Sequence, residues 1–284
     1  MRGQDASFLE RYGPWALVLG ASNGVGAAYA AEVARRGVNV VLVSRRQAVL
    51  DEIARSISEE TGVESRSVAI DLAGTDAFDN VVRATKGLEI GTLMYCAGAD
   101  PNFRHFLDSS IEFSLGLIHR NCVVPTQLCH NFAPAMVERG RGAIVLVGSA
   151  AGLHGGPNMT AYGGTKAFDI VFGEALWSEV HDKGVDVLNL VIGATDTPAF
   201  RQLLFDQGIT SDPSQPAPVA GVTSPEETAA EAIANVANGP TWVVGERVRE
   251  RLTAFQQMSR NDVVRLLIDN VGGTMQRARS GESS

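Results

Sequence analysis

The amino-acid sequence predicts an α/β fold: a doubly wound parallel sheet of about seven strands in a single domain spanning residues 1–284. Three observations carry this. Short β-branched runs alternate with longer amphipathic stretches, the order that right-handed βαβ crossovers require. The strand runs are continuously apolar, as expected for strands covered by helices on both faces. The chain has 284 residues, 45% of them apolar and 20% charged, enough for one large core.

In chain order, strands are expected at 15–20 (WALVLG), 39–44 (NVVLVS), 65–70 (SRSVAI), 91–97 (GTLMYCA), 142–149 (GAIVLVGS), 185–192 (VDVLNLVI) and 241–245 (TWVVG). Helical patterns lie near 25–36, 46–60, 75–86, 104–138, 162–182 and 225–237. Residues 198–224 break the rhythm with a short apolar helix and a Pro-rich run, and so long a connection is expected to be a lid. The tail, 246–284, reads as one or two exposed helices with a frayed polar end, RARSGESS. A net charge of −8 without a basic run argues against nucleic acid and acidic membrane surfaces as partners. The opening MRGQDASFLERYG carries no targeting pattern, and no apolar run approaches the ~20 residues of a membrane span. Cys96, Cys122 and Cys129 are odd in number and lack metal-ligand spacing, which reads as reduced thiols in a cytoplasmic protein with no metal site.

The first βα turn, LVLGASNGVGAAYAAEV, places Gly20, Gly24 and Gly26 between a strand and a helix. A tight turn and bare backbone let a pyrophosphate reach the helix N-terminus, where free N–H groups and the helix dipole favour an anion. Close packing alone is the other use of such glycines. The absence of a following G-K-[ST] disfavours a mononucleotide P-loop. At the end of the second strand stand Ser44, Arg45 and Arg46, where a cofactor with a free ribose 2′-hydroxyl usually meets Asp or Glu. A guanidinium binds phosphate bidentately, so the expectation is NADP(H) in preference to NAD(H), with Arg45 and Ser44 as main contacts. Arg46, and also Arg45, are alternatively solvated charges. Asp71, ending the third strand, is placed for an adenine edge or for a turn or helix cap.

In TAYGGTKAF (160–168), Tyr162 and Lys166 are four apart and share one face if the segment is helical. Gly163 and Gly164 between them each cost a helix about 1 kcal/mol relative to Ala, so the segment is either a loop or a first turn anchored by its surroundings. Small size with close approach to cofactor or a neighbouring helix would explain them, and Gly164→Leu would then impair binding or assembly.

The ordered set GASNGVG (20–26), YCAGA (95–99), Asn121 in HRNCVVP, VGSAAG (147–152), YGGTK (162–166) and GATDTP (193–198) resembles the short-chain dehydrogenase/reductase family over roughly residues 13–245. The resemblance implies a Rossmann-type fold, a nicotinamide cofactor and an active-site set of Asn121, Ser149, Tyr162 and Lys166. It further implies cofactor contacts from Gly20, Ser22, Asn23, Gly24, Val25 and Gly26 of the glycine loop, from Ser44, Arg45, Arg46, Asp71 and Leu72, from Cys96, Ala97 and Gly98, from Tyr162 and Lys166, and from Gly193, Thr195 and Thr197. Tyr162 would act as acid/base. A free phenol titrates near pH ~10, and a nearby ammonium favours its ionised form. Ser149 would hydrogen-bond the substrate oxygen, and Asn121 would hold a water linking Lys166 to solvent; a strand-end cap and a backbone-bonding helical Asn are the plainer roles of these two. Two positions depart from the family pattern: Cys96 replaces a common Asn, and Ile192 replaces a Pro before Gly193.

Substrate contacts are expected from Ser149, Leu153, His154, Met159, Tyr162, Phe200 and Leu204, His154 being otherwise a half-exposed loop residue. An apolar lid suggests a lipophilic ketone or alcohol of steroid or acyl-chain type. The segment YGPWALVLGAS (12–22) and the tail are similar to members labelled hydroxysteroid dehydrogenases. A cofactor-bound regulator or scaffold, or a lyase or epimerase on the same fold, are the alternatives. By resemblance, helices 104–138 and 162–182, with Val171, Phe172, Leu176 and Trp177 on outer positions, pair across subunits into a homodimer or homotetramer.

Overall fold

The computed structural model describes residues 6–269. Seven parallel strands form one sheet in the order β3-β2-β1-β4-β5-β6-β7. They are β1 (Trp15–Leu19), β2 (Asn39–Ser44), β3 (Ser65–Ala69), β4 (Ile90–Tyr95), β5 (Gly142–Ser149), β6 (Val185–Ile192) and β7 (Thr241–Val243). The helices are α1 (Ala6–Tyr12), α2 (Gly24–Arg35), α3 (Gln47–Thr61), α4 (Ala77–Ala84), α5 (Ile111–Ile118), α6 (Val124–Arg139), α7 (Thr160–Val180), α8 (Pro198–Asp206), α9 (Pro225–Asn235) and α10 (Glu246–Gln256), followed by helical residues 260–269, α11.

Alternating strand residues feed two cores. Ala16, Val18, Val40 and Leu42 pack with Tyr29, Val33, Leu50 and Ile233 on the face covered by α2, α3 and α9. Leu17, Leu19, Val41 and Val43 pack with Val81, Leu128, Met136 and Val180 on the face covered by α4, α6 and α7. This two-sided burial is why the central strands read as unbroken apolar runs, and why β3, at the edge, carries half-exposed Ser65 and Ser67.

Two expectations need correction, and one helix was not expected. The pattern over 104–138 is not one helix: a 3-10 turn at Phe106–Asp108 precedes α5, and a π turn at His119–Val123 joins α5 to α6, with Pro125 in the first turn of α6. Helix α1, which the polar opening did not announce, is tied down by Tyr12 Oη donating to Asp186 Oδ2 at 2.8 Å and by an Arg11–Asp186 ion pair. The described part of the tail is not simply exposed, since Val248, Phe255 and Val263 are buried; the polar end RARSGESS lies outside the described residues.

Candidate active site

Strand order reverses between β1 and β4, and in open α/β sheets ligands bind in the crevice at the carboxyl ends of such strands. The loop after β1 turns at Gly20 (φ +88°), where a Cβ would sit 2.8 Å from Ala97 N. A Cβ on Gly26 would lie 2.4 Å from Gly20 O, and one on Gly24 2.8 Å from Thr197 Cγ2. Gly20 and Gly26 therefore serve close packing, while Gly24 opens α2 across the crevice from Thr197. Asn23, at the N-cap, makes no side-chain cap bond, so its side chain does not cover the first N–H groups of α2, of which that of Gly26 turns to the Cys96 sulfur. Val25 is buried beneath the turn. A bare-backbone cradle at a helix N-terminus fits a dinucleotide pyrophosphate.

At the end of β2, Ser44 Oγ donates to Ser22 Oγ at 2.8 Å, and Arg46 Nη2 reaches the same Ser22 Oγ at 3.1 Å. Arg46 is thus more than a solvated charge: it bridges α3 to the glycine loop, whereas Arg45 beside it is exposed. Asp71 takes the turn role, its Oδ1 accepting from Ala73 N–H at 3.1 Å, and Leu72 is buried in the core. Burial pushes the Cys96 thiol up to about 11, against the opposing influence of Lys166 and a hydrogen bond from the Gly26 backbone.

The chemical end is built on three elements. Gly98 (φ +142°) admits the Asn121 side chain, whose Oδ1 would lie 2.8 Å from a Cβ there. Asn121 Nδ2 donates to Gly98 O at 3.1 Å and to Thr165 Oγ1 at 2.9 Å, and Thr165 Oγ1 in turn donates to Tyr162 O at 2.8 Å. Its amide therefore braces the first turn of α7 and bonds none of the Lys166 atoms. Ser149 ends β5; its Oγ accepts from Ala151 N–H at 3.2 Å, which leaves its own proton to donate. Tyr162 and Lys166 share a face of α7, with Nζ 5.9 Å from the Tyr162 ring centroid. Lys166 Nζ donates to Val147 O at 2.8 Å and to Asp169 Oδ2 at 2.9 Å, and all of Asn121, Thr165, Lys166 and Asp169 are buried.

Across the crevice, a Cβ on Gly193 would meet Val248 Cγ2 at 2.7 Å. Thr195 is buried and bridges to Thr223, and Thr197 caps α8 by accepting from Phe200 N–H at 3.1 Å. The lid is stitched: Asp196 holds Arg201 through both carboxylate oxygens (2.6 and 2.8 Å) and accepts from Ala217 N–H at 3.2 Å. Arg201 holds the Asp196 carboxyl below its ordinary range.

The expected substrate residues divide. His154 and Met159 line a cavity of about 490 Å³ whose far wall is Arg260, Val264 and Ile268 of α11. Gly163 and Gly164 line it too, so it lies on the face of α7 turned away from the Tyr162–Lys166 pair. Leu153, Phe200 and Leu204 do not line it, and Leu204 is buried within the lid. His154 stacks edge-on against Phe255 at 5.6 Å, and burial, aided by Arg260, lowers its pKa. Close approach belongs to Gly163, whose Cβ would lie 3.0 Å from Ala151 O; a Cβ on Gly164 meets nothing within 4 Å.

Sequence reasoning missed Asp169 and Arg120. The signal for the first was a carboxylate three residues after Lys166 inside the apolar run AFDIVF. Arg120 donates to Ala99 O at 2.7 Å and to Asn121 Oδ1 at 3.2 Å and lies within electrostatic reach of Arg45, Asp71 and Asp100. Nothing in its local sequence distinguishes it from a surface arginine.

Comparison with known proteins agrees with this geometry. Residues 14–207 match the short chain dehydrogenase family. A 7β-hydroxysteroid dehydrogenase of Clostridium sardiniense is 33% identical over 260 residues, covering 91% of this chain and 95% of that protein. A solved 7β-hydroxysteroid dehydrogenase structure superposes with a TM-score of 0.83 at 30% identity, covering 92% of this chain and 98% of the other. A short-chain dehydrogenase from Sphingobium yanoikuyae, solved with NADPH, gives a TM-score of 0.73 at 29% identity, covering 88% and 94%. The chain belongs to the short-chain dehydrogenase family, hydroxysteroid dehydrogenases among its relatives, and is an oxidoreductase of CH–OH groups that uses a nicotinamide cofactor.

Proposed function

We propose that this protein is an NADP(H)-dependent oxidoreductase interconverting a lipophilic ketone and its secondary alcohol, of steroid or acyl-chain type, with Tyr162 as acid/base. The observation that carries the reading is the buried Lys166 ammonium sharing a helix face with Tyr162 and bonded to Val147 O of the strand that Ser149 ends. The nicotinamide, when bound, supplies or accepts the hydride. Ser149 donates a hydrogen bond to the substrate oxygen, keeping its proton, and stabilises the charge that develops there. Tyr162 gives its phenolic proton to that oxygen in reduction and takes one back in oxidation. Lys166 keeps a positive charge beside the phenol, and Asn121 fixes the turn that carries Tyr162 through Thr165.

The preference for NADP(H) rests on Arg46 and Ser44 gathered around Ser22, with exposed Arg45 alongside; three guanidinium or hydroxyl groups at the β2 terminus suit a 2′-phosphate. The lipophilic substrate class is supported by the apolar lid and by relatives that are hydroxysteroid dehydrogenases. We further propose a homodimer or homotetramer closed by α5 and α7, whose outward Ile111, Leu115, Phe168 and Val171 are exposed at 56%, 55%, 37% and 66%; of the residues expected on that face, Phe172, Leu176 and Trp177 instead pack half-buried against the core. Three unpaired thiols fit a reducing, cytoplasmic setting. Oxidation of NADPH and NADH should be followed with steroid, acyl-chain and small polar ketones. Faster turnover of the lipophilic ketones with NADPH is expected; turnover confined to small polar ketones would sink the substrate class, and equal use of NADH the cofactor preference.

A further inference from the structure

We infer that Asp169 is a positioning residue of the active site, the buried counter-ion that keeps the Lys166 ammonium charged and aimed along the Tyr162 face of α7. This rests on the reading of Tyr162 and Lys166 as the acid/base pair. The two side chains form an i,i+3 ion pair at 2.9 Å with only 6% and 7% of their surfaces exposed. Burial this deep neutralises a lysine unless an anion compensates. Of the three ammonium donors, one goes to Asp169 Oδ2 and one to Val147 O, which fixes the direction of the third.

Among the described residues, Lys166 is the one cation that faces Asp169. The titratable groups that face it are Lys166 on its own helix, Tyr95 from β4, Cys122 from the π turn and Cys129 from α6. Lys166 is faced by Tyr162, Asp169, Cys96 and Cys122. Burial pulls the Lys166 ammonium toward neutrality, but Asp169, then Tyr162, outweigh it and hold its pKa above the ordinary value. Burial first and the Asp169 charge second push the Cys122 thiol up to about 11, against the opposing Lys166, and the Cys129 thiol up to about 12. Asp169 thus acts as a local negative charge on the protons of Lys166, Tyr95, Cys122 and Cys129.

A consequence with a definite sign follows. Removing a negative charge makes every neighbouring proton easier to lose, so the first proton of the coupled Tyr162–Lys166 pair leaves at lower pH, whichever group carries it. The test compares pH profiles of ketone reduction at saturating NADPH for the native protein, Asp169→Asn and Asp169→Glu. The descending limb at high pH is expected to move down by about one pH unit in Asp169→Asn and to return most of the way in Asp169→Glu. A limb that stays in place while the rate falls uniformly would overturn the inference, because a merely structural role scales the profile without moving it. A near-ultraviolet difference titration of each protein against its Tyr162→Phe counterpart reads the same shift without turnover. If no ketone is reduced, the functional reading fails, yet this titration still decides the role of Asp169. Should Asp169→Asn fail to fold, the double variant Lys166→Met/Asp169→Asn is examined. A folded double variant supports the pairing; an unfolded one overturns it.

Discussion

At the catalytic end of the cleft, Asn121, Thr165, Lys166 and Asp169 are buried and bonded to one another or to backbone, whereas at the β2 end Arg45 and Arg46 stand exposed around Ser22. Charges in the first region act through a low-dielectric medium and are held in place before any ligand arrives. Those in the second are screened by salt and ordered by what binds to them. The difference assigns separate duties: the buried end sets the chemistry, and the exposed end sets which cofactor is chosen.

The comparison can be broken most directly at Tyr162. Tyr162→Phe, which removes the proton donor and little else, is expected to lower kcat by about 10²–10⁴-fold with an unchanged unfolding midpoint, read by steady-state kinetics and thermal melting. Next comes Lys166→Met, which leaves Asp169 buried without its cation. Loss of about 3–5 kcal/mol in denaturant unfolding is expected, together with loss of activity; full stability would show that the buried end is not electrostatically closed. At the exposed end, Arg45→Ala and Arg46→Ala should each weaken NADPH binding about tenfold, leave NADH binding unchanged and lose their effect in high salt, as measured by fluorescence titration. An effect independent of salt would erase the contrast between the two ends. The smallest change is expected at Gly164, where a methyl group meets open space and Gly164→Ala should raise stability by at most about 1 kcal/mol. Gly163→Ala, pressed toward Ala151 O, should gain less or lose.

Much of this was legible in the chain itself. The two-sided strands, the glycine turn and the Tyr162–Lys166 face follow from local pattern, because burial and helix period act over a few residues. What escaped depends on distant partners. The break in the 104–138 pattern is hidden because the apolar period runs on through the π turn, with the Ser110 cap before α5 and Pro125 in α6 as its local signs. Arg46 reads as a solvated charge until the fold brings Ser22, 24 positions away in sequence, under its guanidinium. Gly164 reads as a close-approach site beside Gly163, although only the latter faces the backbone of the β5–α7 connection. The tail reads as exposed because the His154 ring that Phe255 packs against lies 101 positions upstream.

That tail carries a design consequence. The residues matched to the family end at 207, yet the cavity that meets His154 and Met159 takes its opposite wall from Arg260, Val264 and Ile268, and Phe255 sets the angle of the His154 ring. The molecule therefore behaves like a tool with an interchangeable jaw. Exchanging residues 255–269 would reshape that cavity while keeping Val248 against Gly193 and leaving the Tyr162–Lys166 face of α7 on the other side of the helix.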